Sequence, residues 1–427
     1  MLELEQMEAA MLEELESTYG DLEFDIIGLL RQVAIETPNQ AAILEIDRTS
    51  LTYQGLLTLA EKTVRTLNGL GLTRLSRVAI ALPSTSETAA AYISAMAGMT
   101  IIPMGYALPV DEYERYLKHT RADALLVRQD MPSSAREAAT RLGIPAIELI
   151  YSADGPVGVF AISAHDDLSS LEPQFAQPCD TAVVLPTSGT TTLPKLVPWS
   201  QRDLAIVTYF GFRIFHMVEE PPYSVFGIMP LHHASGFGPM MRSLIGKVGF
   251  VYVSGSKVNQ IFRYLAHYRP ANTLVVPAVL QALVDEAPFH KEEMARFQLK
   301  RIAVVSAALP EELLRKAQRI FGVEVHTLYS MTEMLAITSA IRSIDSPSYA
   351  PGFVGSSVQF CRVQATDEGG APLSTGHPGE IRVLSPRAFR GYENNPEANA
   401  EVFHEGWFRT GDAGQFDSEG NLSGSRK

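Results

Sequence analysis

The chain reads as an α/β protein with two doubly wound, mostly parallel sheet subdomains followed by a smaller β-rich one. Three observations predict this. Short apolar runs alternate with helical patterns from residue 26 to residue 329, the grammar of a parallel sheet covered on both faces. From about Ser346, Gly, Pro, Asp and Asn become frequent and short strands replace helices. The chain has 427 residues, too many for one ordinary core and enough for two or three subdomains.

Residues 1–20 set Leu2, Met7, Met11, Leu12 and Leu15 among glutamates, the pattern of a short amphipathic helix. It reads as a surface helix packed on the body, or as a linker from a larger assembly. Residues 21–175 make the first α/β subdomain. Ile26–Glu36 is a helix that stops before Pro38, because the residue ahead of a proline avoids the helical region. Residues 42–45 and 51–53 are strands around a polar turn, and 56–70 a helix ending near Gly71. Then come strand 78–82, the Ala-rich helix 86–99, strand 100–104, helix 112–121 and strand 124–127. The polar stretch 152–179, with Pro156, Pro173 and Pro178, reads as a connector. The second α/β subdomain, 176–345, opens with strand 182–185 and helix 202–215. Strands 225–229 and 249–254 follow, then helix Val258–Tyr268, strand 272–276 and helix Pro277–Glu286. Strand 302–306, helix Glu311–Phe321 and strand 323–329 repeat the alternation. Residues 346–427 form the β-rich subdomain, with strands such as 358–365 and 380–383.

Composition narrows the function classes. A net charge of −13 argues against nonspecific nucleic-acid binding, which needs a basic face. An acidic protein that binds a polyphosphate must concentrate its cations locally. No apolar run reaches the roughly 18–20 residues that cross a bilayer. The first 19 residues hold six Glu and no Lys or Arg, unlike a secretory signal or transit peptide. Cys179 and Cys361 form no metal-spaced pair, so a reducing, cytoplasmic setting is the simplest.

Five stretches carry chemistry. After strand 182–185 come Thr187, Ser188, Gly189, Thr190, Thr191 and Thr192, then Pro194 and Lys195. Such a loop offers backbone N–H groups, hydroxyls and one ammonium to a polyanion. It is not a Walker A loop, since Pro194 precedes the lysine and Leu196 follows it. Tyr329-Ser330-Met331-Thr332-Glu333 follows an apolar strand, where open α/β sheets bind ligands. Tyr329 suits a base, Thr332 a phosphate oxygen and Glu333 a Mg²⁺ ion; a strand end with Thr332 as helix cap is the plain alternative. The small residues Ser306, Ala307 and Ala308 after strand 302–305 would admit a flat base, or simply make a tight turn. His232 and His233 follow strand 225–229, where two adjacent histidines are usually ordinary loop residues, and have no further ligands nearby for a metal. Asp412, in Gly406-Trp407-Phe408-Arg409-Thr410-Gly411-Asp412, can accept two hydrogen bonds from vicinal hydroxyls.

Together these stretches resemble the acyl-adenylate-forming superfamily: acyl-CoA synthetases, adenylation domains of nonribosomal peptide synthetases, and luciferases. The loop is similar to the family's Thr-Ser-Gly-Thr-Thr-Gly-x-Pro-Lys-Gly, with Thr192 and Leu196 in place of glycines. Tyr329–Glu333 resembles Tyr-Gly-x-Thr-Glu with Ser330 for glycine, and Ser306–Ala308 resembles the adenine-binding Gly-Ala-Ala. Gly406–Asp412 matches Gly-Trp-Phe-x-Thr-Gly-Asp at every fixed position. The resemblance covers about residues 22–427 and only the large domain of the complete enzyme. It implies a layered αβαβα core, a distorted barrel, and a C-terminal lid domain absent from this chain.

The resemblance also implies roles. ATP and Mg²⁺ are the cofactors. The Ser/Thr loop and Lys195 hold the β- and γ-phosphates, Thr332 the α-phosphate and Glu333 the Mg²⁺ ion. Asp412 and the tail residue Arg426 contact ribose. His233 lies beside the substrate carboxylate and gates the acceptor tunnel. Ser235, Gly236, Phe237, Ser330 and Met331 line the acyl pocket. Residues 232–241 lack the acid that amino-acid-activating relatives use to pair an α-ammonium. A buried ammonium without a counter-charge is costly, so the expected substrate is a carboxylic acid lacking an α-amino group. Its acyl-adenylate would pass to a thiol, coenzyme A or a carrier-protein phosphopantetheine. The reading taken is a loading domain of a polyketide or nonribosomal peptide assembly line. The alternatives are a free-standing acyl-CoA synthetase core, a binding module inactive without its lid, and a phosphorylating enzyme that releases ADP.

Overall fold

The structure, a computed structural model, describes residues 2–19, 24–130, 133–151, 154–163, 171–187, 194–216, 224–347 and 349–425. The chain forms two compact units, neither continuous in sequence. One comprises Glu23–Phe212 and Glu220–Ser254; the other comprises Met1–Leu22, Arg213–Glu219 and Gly255–Lys427.

The first unit holds a seven-stranded sheet. Its order is Ala161–Ile162, Ala146–Ile150, Ala124–Arg128, Arg77–Ile80, Thr100–Pro103, Thr181–Pro186 and Leu196–Ser200. The inner strands run parallel and both edges antiparallel. Val78, Ile80, Ile101, Leu125 and Val183 are fully buried, as strands covered on both faces require. Helices enter through side-chain caps: Asp25 accepts from Gly28 N–H at 2.8 Å and Thr52 from Gly55 N–H at 3.1 Å. The Ala-rich helix Ser86–Met96 is buried at every residue.

Strand Thr181–Pro186 lies in this first sheet rather than opening a second one. Ile101 faces Val183, and the Thr100 hydroxyl donates to Thr181 O at 2.7 Å. Its hairpin partner Leu196–Ser200 was not read from sequence because Pro198 interrupts it. At a sheet edge a missing N–H costs nothing. Helix Ser134–Leu142 and strand Ala146–Ile150 are likewise additions to the sequence reading.

Strands Ser224–Gly227 and Gly249–Tyr252 also leave the expected second sheet. They join Ala41–Leu44 and Leu51–Thr52 in a four-stranded sheet. Gly249 eases this: a Cβ there would stand 2.3 Å from Leu44 Cδ1, so a larger residue would have to push that side chain aside.

The second unit carries one ten-stranded sheet. Asn272–Val275, Arg301–Val304 and Glu324–Met331 are parallel. Met334–Arg342, Phe353–Ser357, Leu422–Ser425, Trp407–Phe416, Gly379–Leu384 and Arg362–Thr366 continue it antiparallel, and Phe403–His404 pairs with Trp407–Phe416 off this path. The change of grammar near residue 346 therefore marks a switch within one sheet, where crossover helices give way to hairpins. Among the described residues the strands follow an open path and do not close into a barrel. Helix Leu2–Tyr19 packs on this unit by Met11 and Leu15, with ion pairs from Glu14 to Arg213 and from Glu8 to Arg390.

Candidate active site

In the second unit a cavity of ≈ 520 Å³ opens at the carboxyl ends of two parallel strands. Ser306, Ala307 and Ala308, just past Arg301–Val304, form one wall; Tyr329 and Ser330, at the end of Glu324–Met331, form another. Asp412 comes from the long strand Trp407–Phe416. The Tyr329 hydroxyl donates to Asp412 Oδ2 at 2.7 Å. Asp412 is aimed by its own neighbours. Its N–H donates to Thr410 Oγ1 at 3.1 Å, and that hydroxyl donates to Ile381 O at 2.8 Å. Small side chains on one wall, an aromatic ring and an anchored carboxylate suit a purine nucleoside: a flat base, and vicinal hydroxyls for the carboxylate. Ser306 has φ +73°, a left-handed conformation natural to glycine.

Gly352 and Gly424 also line this cavity, and sequence reasoning missed them. A Cβ on Gly352, at φ +76°, would stand 2.1 Å from Gly424 O. The Pro-Gly turn at 351–352 was the available signal; its partner 72 positions later was not.

Thr332 and Glu333 are the two turn residues between paired Met331 and Met334, so Thr332 caps no helix. Glu333 is buried, and its Oε1 accepts from the Tyr392 hydroxyl at 2.6 Å. Neither Thr332 nor Glu333 lines the cavity, and Met331 packs against the core around Ile337 and Val383. Among the described residues no group of three or more His, Cys, Asp or Glu could cage a metal. A single carboxylate fits Mg²⁺ that arrives with a polyphosphate, since that ion keeps waters and phosphate oxygens and takes one or two carboxylates.

In the first unit, Thr187 and Lys195 close the base of the Ser/Thr loop. Thr187 N–H donates to Lys195 O at 2.9 Å, and Lys195 N–H donates to Thr187 Oγ1 at 3.2 Å. His119 Nε2 lies 2.9 Å from Pro194 O. Leu196 is 2% exposed and packs in one cluster with Tyr113 and Val184, which accounts for a leucine at the position where the resembling motif has glycine. Ser188, Gly189, Thr190, Thr191, Thr192 and Arg426 lie outside the described residues.

His233 precedes helix Ala234–Ile245 as its N-cap residue, so the stretch read as a loop is the start of a helix. Ser235 and Gly236 lie in its first turn. A Cβ on Gly236 would stand 2.2 Å from Pro230 O, so glycine lets the helix start against the preceding loop. Phe237 is buried in its own unit's core. The His232 and His233 ring centroids are 4.2 Å apart. Burial, then the His233 charge, pushes His232 down to about 4, and burial lowers His233. Both rings are therefore neutral near pH 7. The helix carries Arg242 and no carboxylate.

The model of the AMP-binding enzyme family matches residues 30–393. The chain is 28% identical to an oxalate–CoA ligase of Arabidopsis thaliana, over 92% of this chain and 77% of that relative. It is 26% identical to a 2-succinylbenzoate–CoA ligase of Bacillus licheniformis, again over 92% and 77%. ATP-bound MatB from Rhodopseudomonas palustris shares the fold at a TM-score of 0.79 and 23% identity, over 94% of this chain and 78% of that one. The O-succinylbenzoate coenzyme A synthetase of Bacillus subtilis, solved with AMP, matches at 0.78 and 22%, over 93% and 78%. With a family match over most of its length and the strand-end motifs in place, this chain belongs to the AMP-binding enzyme family, the acyl-adenylate-forming enzymes.

Proposed function

We propose that this AMP-forming acid–thiol ligase activates a carboxylic acid lacking an α-amino group and passes the acyl group to coenzyme A. The observation that carries the nucleotide half is the Tyr329–Asp412 hydrogen bond at the rim of the cavity walled by Ser306, Ala307 and Ala308. In this reading the cavity takes adenosine, Asp412 the ribose hydroxyls and Lys195 the terminal phosphates. Thr332 steadies the α-phosphate. Magnesium held by Glu333 would neutralise phosphate charge as pyrophosphate leaves. The remaining work is positioning two anions and stabilising developing charge.

The acid half rests on the helix after His233. It brings its positive N-terminal end and no carboxylate, which favours an anion over an ammonium. Relatives named for oxalate, sulfoacetate and 2-succinylbenzoate act, by those names, on acids without an amino group. The same names favour coenzyme A as the thiol, and no described residue singles out a carrier protein. No described helix is long and apolar enough to cross a membrane. The test is acid-dependent ATP–pyrophosphate exchange with matched acids, with and without an α-amine. Exchange driven only by α-amino acids, or ADP as product, sinks the reading.

A further inference from the structure

The segment after strand Gly379–Leu384 is built around one contact that the motifs do not explain. Glu333 sits in a two-residue turn and is 6% exposed. A carboxylate so buried needs donors. One comes from 59 positions later: the Tyr392 hydroxyl donates to Glu333 Oε1 at 2.6 Å, in the short range of charge-assisted bonds. The same segment holds the Glu333 backbone, since Phe389 N–H donates to Glu333 O at 2.9 Å.

Tyr392 is itself immobilised. Its N–H donates to Asn399 Oδ1 at 2.7 Å, and Asn399 Nδ2 donates back to Tyr392 O at 2.8 Å. Its ring lies 4.8 Å from Phe389, which also touches Phe403 and Phe408. Gly391, at φ +132°, clears the bracket, because a Cβ there would stand 3.2 Å from the Asn399 amide. Packing alone would be served by phenylalanine. The hydroxyl, the Asn399 bracket and the second bond to the Glu333 backbone together specify the direction of one carboxylate.

We propose that Tyr392 is the positioning residue for Glu333, holding its carboxylate at one angle for the magnesium ion that accompanies the nucleotide. This rests on the reading of Glu333 as the magnesium residue. Partners of this kind typically set metal affinity by 10–100-fold.

The test uses Mn²⁺ as a paramagnetic probe, titrated with ATP into the full chain and followed by electron paramagnetic resonance. The Mg²⁺ dependence of exchange is measured in parallel. Tyr392→Phe is expected to weaken Mn²⁺ binding in the presence of ATP by about tenfold. The Mg²⁺ needed for half-maximal exchange rises by the same factor, while metal-free ATP binding is kept. Asn399→Ala retains the hydroxyl but loosens its backbone, and moves both readouts the same way by less. If Glu333→Gln loses the metal response and Tyr392→Phe keeps it, the role of Tyr392 is overturned. If Glu333→Gln keeps it too, the reading of Glu333 fails instead. Should Tyr392→Phe not fold, a folded Asn399→Ala with unchanged metal dependence overturns the proposal.

Discussion

Two hairpins in this protein carry residues that the proposed reading assigns to the nucleotide's triphosphate and its magnesium, and they are built in opposite ways. The one from Thr187 to Lys195 is long and closed at its base by backbone and hydroxyl bonds between those two residues. The one at Thr332 and Glu333 is as short as a hairpin can be, and its carboxylate is gripped from outside by Tyr392. In the proposed reading the difference matches what each would deliver. An ammonium is a point charge with three rotatable donors, so reach matters more than angle. A carboxylate serving Mg²⁺ meets an ion that demands near-octahedral geometry, so angle matters more than reach. Losing the lysine should therefore remove charge stabilisation outright, whereas loosening the glutamate should alter metal dependence.

The largest expected effect tests the first half of that contrast. Lys195→Ala should lower exchange by about 10²–10³-fold, the cost of one preorganised charge donor, with the thermal unfolding midpoint unchanged. Exchange at the native rate would remove Lys195 from the mechanism. Next comes the cavity in the other unit. Asp412→Ala removes the hydrogen bonds of a charged group, about 1.5–3 kcal/mol, and should raise the KM for ATP by about 10–100-fold with a smaller change in kcat. A loss confined to kcat would remove Asp412 from nucleotide binding.

Two smaller tests ask what the tightly built unit costs. His326 is 1% exposed, and neither ring nitrogen has a hydrogen-bond partner among the described residues. Burial, then the Arg301 charge, depresses it to about 3. The folded state thus prefers the neutral ring, while the unfolded ring titrates near the ordinary value of about 6.5. Stability from this group is full above pH ~6.5 and is lost as pH falls toward 3, at about 1.4 kcal/mol per pH unit. His326→Phe should flatten that acid limb in urea unfolding measured from pH 7 to pH 4. An unchanged slope would assign acid sensitivity elsewhere. The smallest effect is at Ser306. Ser306→Gly relieves a left-handed serine but frees the unfolded chain, so stability should change by no more than about 1 kcal/mol. ATP affinity should be retained. A larger loss would mean that the Ser306 side chain itself contacts the ligand.

Local chemistry was legible in the chain. Helices Val258–Tyr268, Pro277–Glu286 and Glu311–Phe321 have the bounds their periodicity predicts. Tyr329 and Asp412, assigned to one nucleoside from separate motifs, do meet. Such features depend on neighbours a few residues away, and spacing records those. The grouping of strands was not legible. Whether Gly249–Tyr252 pairs with Ala41–Leu44 or with a later strand depends on the space beside Gly249, which Leu44 fills. Leu196 reads as a defect of a glycine motif until its place among Tyr113 and Val184 is seen.

By itself, then, the order of residues determined the alternation of elements, the strand-end motifs and the groups proposed to hold a nucleotide. Tertiary structure alone decided how the strands are shared between two units, and that Glu333 is aimed by Tyr392. Hydrogen bonds and close approaches between distant positions depend on three-dimensional distance, and periodicity along a chain carries no measure of it.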